Sequence, residues 1–207
     1  MPMPFKHLGA VAMLAAGACL PWAASRADEG ERARVVQQVA HAVVRSGDAQ
    51  GMAFAIVDKT GARLHVYDAL GRVQGTAPVL LGLARGDHSV PGIGERRMSE
   101  IRPHERTTPA GRFVAEHGRN VQGEDIIWVD YEAAVSMHRV RATNPRERRL
   151  ERLASPTIAD NRISYGCINV PADFYDRVLK PTFRARHAVV YVLPETRPVH
   201  EVLGFLD

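Results

Sequence analysis

The sequence predicts a mainly β domain with a few helices, its strands assembled as a sandwich or barrel. Three observations carry that expectation. Apolar runs of strand length recur through most of the chain: Met52 to Asp58, Arg63 to Asp68, Ala77 to Leu83, Asp125 to Tyr131, Ala134 to Val140 and His187 to Leu193. Glycine, proline, asparagine and aspartate punctuate the gaps between them. A sustained helical period appears in only a few places, the clearest of them near the N-terminus.

Taken in order, Val35, Val36, Val39, Ala40, Val43 and Val44 recur at helical spacing among charges and glutamines. They predict an amphipathic helix from Glu31 to Ser46 that stops at Gly47. The runs at Met52 and Arg63 flank Lys59-Thr60-Gly61-Ala62 and read as a hairpin, with a further strand leading through Val73 to the run at Ala77. Residues Ala84 to Thr108 hold Gly86, Pro91, Gly92, Gly94 and Pro103 and no sustained period, which predicts a long surface loop. After the turn Thr108-Pro109-Ala110-Gly111 comes a short alternating stretch, Arg112 to Ala115, and then the runs at Asp125 and Ala134. An arginine-rich connection, Arg141 to Arg162, contains a short predicted helix around Glu147 to Leu153. Ser164 to Val170 then leads into a helix over Phe174 to Leu179, with Pro171 at its start. His187 to Leu193 is the last strand, and the tail Thr196 to Asp207 has room for one short helix.

The first 27 residues read as a cleaved export signal. Lys6 precedes an apolar run, Ala10 to Leu20, too short to span a bilayer, and the small residues Ala23, Ser25 and Ala27 follow. Ala16-Gly17-Ala18-Cys19 lacks the leucine expected of a lipidation site, so anchoring at Cys19 ranks below cleavage. The expected division is a signal over 1–27, an N-terminal helix over 28–49, one catalytic-size domain over 50–193 and a tail over 194–207, acting as an exported, periplasmic monomer. The 207 residues are 45% hydrophobic and 24% charged, as suits one domain with a real core. Without the signal, which holds Lys6 and Arg26 and no acid, 25 basic residues face 23 acidic ones. That balance excludes a general nucleic-acid binder and leaves only the arginine cluster from Arg139 to Arg152 to meet an anion.

Loss of Cys19 with the signal leaves Cys167 without a partner in the chain, and an unpaired cysteine in an exported protein is either an intermolecular bridge or a reactive thiol. Its context, Ser164-Tyr165-Gly166-Cys167-Ile168-Asn169, places it after a glycine and just before the predicted helix, whose N-terminus would favour thiolate. Among the histidines, His138 near the end of a predicted strand is the first candidate for a base, and His187 the second. No zinc-binding spacing, no G-x-S-x-G elbow and no paired carboxylates are visible, so neither a metal nor a cofactor is expected.

SYGCIN resembles the cysteine motif of the L,D-transpeptidase (YkuD-type) catalytic domain, in which Ser or Thr, His, Gly and Cys are followed by an apolar residue and Asn or Arg. SMHRV, Ser136 to Val140, resembles the strand carrying that family's base, and TTPAGRF, Thr107 to Phe113, resembles its Thr-Pro-x-Gly-x-Phe segment. MAFAIVDKTGARLHVYDALGRV resembles its opening hairpin, so the likeness spans about residues 50 to 193. The resemblance implies a β-sandwich or barrel with one helix before the sheet and one after Cys167. It implies that Cys167 attacks the amide between the third and fourth residues of a peptidoglycan stem peptide and that an acceptor amine, on a peptide or a lipoprotein, resolves the thioester. His138 is then the base, oriented by the backbone carbonyl of Arg139. Backbone amides of Tyr165, Gly166 and Cys167 form the oxyanion hole, while Ser164 and Asn169 shape the loop and hold substrate. Hydrolysis of the same peptides and a non-catalytic wall-binding role are the alternatives. This chain departs from the pattern in two places: Tyr165 stands where most members carry histidine, and 29 positions separate His138 from Cys167, more than is usual in the family.

Overall fold

The computed structural model describes residues 20–206. Most of the expected signal, with Cys19, lies outside them. The first described element is helix α1 (Leu20–Ser46), so the helix extends well before the expected Glu31 start and into the last residues assigned to the signal. No strong breaker lies between: Pro21 falls in the first turn, where proline is tolerated, and Gly30 costs the helix only about 1 kcal/mol. The helix ends at Gly47, whose φ of 68° is the left-handed conformation that stops it. Among the described residues no helix is long and apolar enough to cross a membrane.

Ten strands follow: β1 (Phe54–Asp58), β2 (Arg63–Tyr67), β3 (Val73–Pro78), β4 (Leu81–Gly82), β5 (Gly111–Arg119), β6 (Asp125–Asp130), β7 (Val135–Arg139), β8 (Arg162–Ser164), β9 (Ile168–Val170) and β10 (His187–Val192). Eight of them form one sheet in the order β3-β2-β1-β10-β5-β6-β7-β9, and β4 pairs with β8 in a second. The neighbours β1/β10 and β7/β9 are parallel, and the rest of the large sheet is antiparallel. Past β3 the chain reaches the opposite edge: Leu80 exchanges both backbone hydrogen bonds with Asn169 of β9, at 3.0 and 2.8 Å. The sheet is therefore nearly closed, which removes most of its free edge. The stretch Arg112 to Ala115 proves to be part of a nine-residue strand, because the polar continuation to Arg119 pairs with both β10 and β6.

Successive residues of the central strands serve two cores, which is why MAFAIVD reads as a continuous apolar run rather than an alternation. Phe54 and Ile56 pack with Val189 and Tyr191 under Val36, Val39, Ala40 and Val43 of α1. Ala55 and Val57 face inward with Val190, Met137 and Ile168, and with Tyr175, Leu179 and Phe183 of the helical segment after β9. That segment runs through α3 (Ala172–Phe174), a π turn (Tyr175–Leu179) and α4 (Lys180–Thr182). The insertion holds α2 (Arg149–Ala154), and the tail holds α5 (Val199–Val202), whose neighbour Leu203 joins the outer core.

A buried charge network ties the long loop to the sheet. The ammonium of Lys59, fully buried, donates to Gly86 O at 2.6 Å, Asp87 Oδ1 at 2.7 Å and Thr108 O at 3.0 Å. Asp87 also accepts from the backbone N–H groups of Glu195 and Thr196, at 2.8 and 2.9 Å. Arg162 completes the group, donating to Lys59 O at 2.8 Å and Glu195 Oε2 at 2.6 Å. Two cations and two carboxylates thus close on one another, the condition under which buried charge is tolerated. Burial pulls Lys59 below its ordinary value, since it favours the neutral amine over the attraction of Asp87. Burial pushes the Asp87 carboxyl up, but hydrogen bonds from Lys59 and Thr196 outweigh it and hold the group well below the usual range.

Two outcomes follow from this network. Lys59→Met, which strands Asp87 and Glu195 with one cation, is expected to lose about 3–5 kcal/mol in urea or guanidinium unfolding. Because the folded carboxyl of Asp87 ionises below its unfolded value, its stabilisation is complete above pH about 5 and declines as the pH falls below that. Asp87→Asn should flatten that acid limb of stability against pH; an unchanged limb would assign acid sensitivity to other carboxylates.

Candidate active site

The cysteine sits where the chain passes between sheets. Strand β8 belongs to the small sheet and β9 to the large one, and Tyr165-Gly166-Cys167 is the crossing between them. This corrects the expectation that Cys167 immediately precedes a helix. Ile168–Val170 is an extended strand paired with β7, and helical structure begins only at Ala172, so no helix N-terminus acts on the thiol. The β-branched residues Ile168 and Val170 are wholly buried in the inner core, and that tertiary gain fixes the segment as strand.

Parallel pairing of β7 and β9 sets His138 opposite Asn169 and Met137 opposite Ile168. Partners in register point to the same face of a sheet, so the imidazole and the amide meet at the cleft while Met137 and Ile168 enter the core. His138 Nδ1 lies 2.8 Å from Arg139 O. A carbonyl only accepts, so Nδ1 carries a proton and Nε2 is the nitrogen whose protonation can change. Asn169 Nδ2 lies 3.3 Å from that Nε2 and donates to Cys167 O at 3.3 Å. The side chain of Arg139 turns away to Asp125 and Asp176 and covers the Tyr175 ring at 4.3 Å, which anchors the peptide whose carbonyl holds the imidazole.

Cys167 is half-buried and is the free thiol among the described residues. Its Sγ lies 3.5 Å from Ala134 O and 3.7 Å from Ser136 Oγ, a residue the sequence did not single out. Burial pushes the thiol up and the imidazole of His138 down, yet the attraction between thiolate and imidazolium outweighs burial in both. The thiol is held below its ordinary value and the imidazole above its own. No helix dipole is needed for that result.

The turn is braced from two sides. Ser164 Oγ donates to Cys167 O at 2.6 Å and accepts from Gly166 N at 3.1 Å. The Gly166 N–H, one of the three amides expected to serve an oxyanion, donates to Ser164 in this structure. Thr108 Oγ1 donates to Gly166 O at 2.8 Å and accepts from Gly82 N at 2.9 Å, which gives the TTPAGRF segment a structural purpose. Gly166 has a φ of 138°, and a β-carbon there would lie 2.8 Å from Thr107 O, so glycine is required by both backbone and space. The guanidinium of Arg106 covers the Tyr165 ring at 3.9 Å and fixes it against the turn.

Ser136, His138, Ser164, Tyr165, Cys167 and Asn169 line a cleft of about 540 Å³ with Trp128, Arg141, Asn144 and Arg149 on its other walls, within the range of small-ligand sites. The arginine-rich insertion is one of those walls: Arg149 donates to Asn169 Oδ1 at 2.5 Å and Arg152 to Asp160 O at 3.2 Å. His187 does not belong here. It lies on β10, separated from β7 by β5 and β6, and faces Glu116 at 3.8 Å. Among the described residues no three His, Cys, Asp or Glu side chains gather closely enough to hold a metal.

No protein-family model matches this chain, and no curated protein does. Among solved structures, an L,D-transpeptidase, LdtMt1, in complex with imipenem aligns with 69% of this chain at 16% identity and a TM-score of 0.40. An L,D-transpeptidase from Mycobacterium smegmatis aligns with 68% at 15% identity and a TM-score of 0.39. The aligned part spans 59% and 58% of those two chains, respectively.

Alkylation of Cys167 by iodoacetamide against pH is expected to rise with a midpoint below that of free cysteine, and His138→Gln should move the midpoint up. Equal midpoints would separate the thiol from the imidazole. Gly166→Ala is expected to slow that alkylation or the turnover of any substrate at least about tenfold, through displacement of the turn, with a visible loss in thermal midpoint.

Proposed function

We propose that the protein is a cysteine acyltransferase of the L,D-transpeptidase type, exported to the periplasm and acting on peptidoglycan stem peptides. The observation that carries the reading is that His138, its Nδ1 held by Arg139 O and its Nε2 beside the Asn169 amide, lines the same cleft as Cys167. A thiolate, a tethered base and a braced glycine turn in one cleft are the parts that acyl transfer needs.

In the first half-reaction the Cys167 thiolate attacks the carbonyl carbon between the third and fourth stem residues. Backbone N–H groups of the turn, other than the one Ser164 holds, stabilise the oxyanion. Imidazolium His138 gives its proton to the departing amine, the C–N bond breaks, and a thioester remains on Cys167. In the second, His138 takes the proton of an acceptor amine as that nitrogen attacks the thioester and the C–S bond breaks, releasing the new amide and restoring the Cys167 thiolate beside imidazolium His138. Arg141 and Arg149 line the cleft, each paired with a carboxylate, Glu124 and Glu147 respectively. Water in place of the amine gives the hydrolytic outcome from the same intermediate.

Incubation with a carbapenem should add one covalent adduct to the intact mass of the wild-type protein and none to Cys167→Ala. On tetrapeptide stems, Cys167→Ala should abolish turnover and His138→Ala should lower it about 10²–10⁴-fold. Product masses with and without an added amine distinguish transfer from hydrolysis. A wild-type protein that reacts with iodoacetamide but with neither carbapenem nor stem peptide would overturn the assignment.

A further inference from the structure

The insertion between β7 and β8 reaches the base through one amide. Arg149 of α2 donates from its guanidinium to Asn169 Oδ1 at 2.5 Å and to Glu147 Oε2 at 2.5 Å, and its side chain is only 14% exposed. A guanidinium only donates, so the edge of the Asn169 amide that faces Arg149 must be its oxygen. The opposite edge, the NH2, is thereby turned toward Cys167 O and His138 Nε2, each at 3.3 Å. Cys167 O only accepts, which demands the same orientation. Buried to 1% exposure, the amide has no other partner among these groups to turn to.

We propose that Arg149 is a positioning residue: it locks the Asn169 amide with its NH2 toward His138 Nε2 and so opposes protonation of that nitrogen, limiting how tightly the imidazolium is held.

An NH2 group donates to an imidazole lone pair and opposes a protonated Nε2, since two N–H groups would then face each other. The lock favours neutral His138, against the pull of the Cys167 thiolate. Released, the amide can turn its oxygen to Nε2 and accept from an imidazolium. Around His138 the charged and polar groups are Cys167 from the turn, Asn169 from β9, Arg149 with its partner Glu147 from the insertion, and the Arg139 carbonyl from β7 itself. Burial is the largest influence that holds the proton off, and the charge of Arg149 acts in the same direction; the orientation of the Asn169 amide adds to both.

The inference rests on His138 as the base of the proposed reaction, and its test needs no substrate. The His138 imidazole is titrated by NMR in the full protein, alongside iodoacetamide alkylation of Cys167. Arg149→Met is expected to raise the His138 midpoint by about one pH unit. Arg149→Gln, which keeps a donor for Asn169 Oδ1 and removes the charge, should raise it by less than half as much. An unchanged midpoint in Arg149→Met overturns the proposal, and equal shifts in the two variants would reduce Arg149 to a distant charge and overturn the lock. Should Arg149→Met fail to fold, Asn169→Ala reports the same lock: a raised midpoint supports it and an unchanged one overturns it. Failure of the acyltransferase reading shows separately, as alkylation of Cys167 that ignores His138→Gln.

Discussion

The parallel pairing of β7 with β9 decides what this molecule can do. It places His138 opposite Asn169, while Met137 and Ile168, one residue earlier on each strand, are buried in the inner core. A slip of one residue would send the imidazole into that core and Met137 into the cleft, because successive side chains leave opposite faces of a strand. The register is held by core packing and by Leu80, which bonds to Asn169 from the other side and closes the sheet. The same contacts that stabilise the fold therefore aim the reactive groups.

A second constraint works at longer range. Lys59 lies in the first hairpin, yet its ammonium grips the carbonyl of Thr108, and the hydroxyl of Thr108 grips the carbonyl of Gly166. Force on the cysteine turn is thus carried back to a buried, charge-balanced cluster at the far end of β1. Buried ion groups give little net stability against an apolar alternative, but they are costly to break, and a turn hung from one has a single position. Such rigidity suits a site whose chemistry depends on tenths of an ångström.

The electrostatics of the cleft come from two opposed tendencies. Burial disfavours both members of the thiolate–imidazolium pair, and their mutual attraction restores them, so the balance is sensitive to any third group. Arg149 and Asn169 are well placed to tilt that balance. Tyr165 is held under Arg106, and the side chains that face His138 come from the insertion, the cysteine turn and β9.

Much was legible in the sequence by itself. Period and punctuation located nearly every strand, since side-chain alternation and turn residues are local properties, and the context of Cys167 and His138 singled out both before any contact was known. Local signals failed where tertiary burial set the outcome. Residues 168–170 became strand rather than the approach to a helix, Arg112 to Ala115 lengthened into β5, and α1 reached back to Leu20. His187 was excluded by sheet order, a non-local fact with no sequence signature. Lys59 read as a turn lysine, Ser136 as an ordinary strand residue and the arginines of the insertion as a cluster available to an anion. Their partners lie 28, 31 and 20 positions away in the cases of Asp87, Cys167 and Asn169. The sequence determined which chemical groups this protein owns and the elements that carry them. Only the closure of the sheet decided which of those groups meet, because a hydrogen bond is specified by proximity in space and not along the chain.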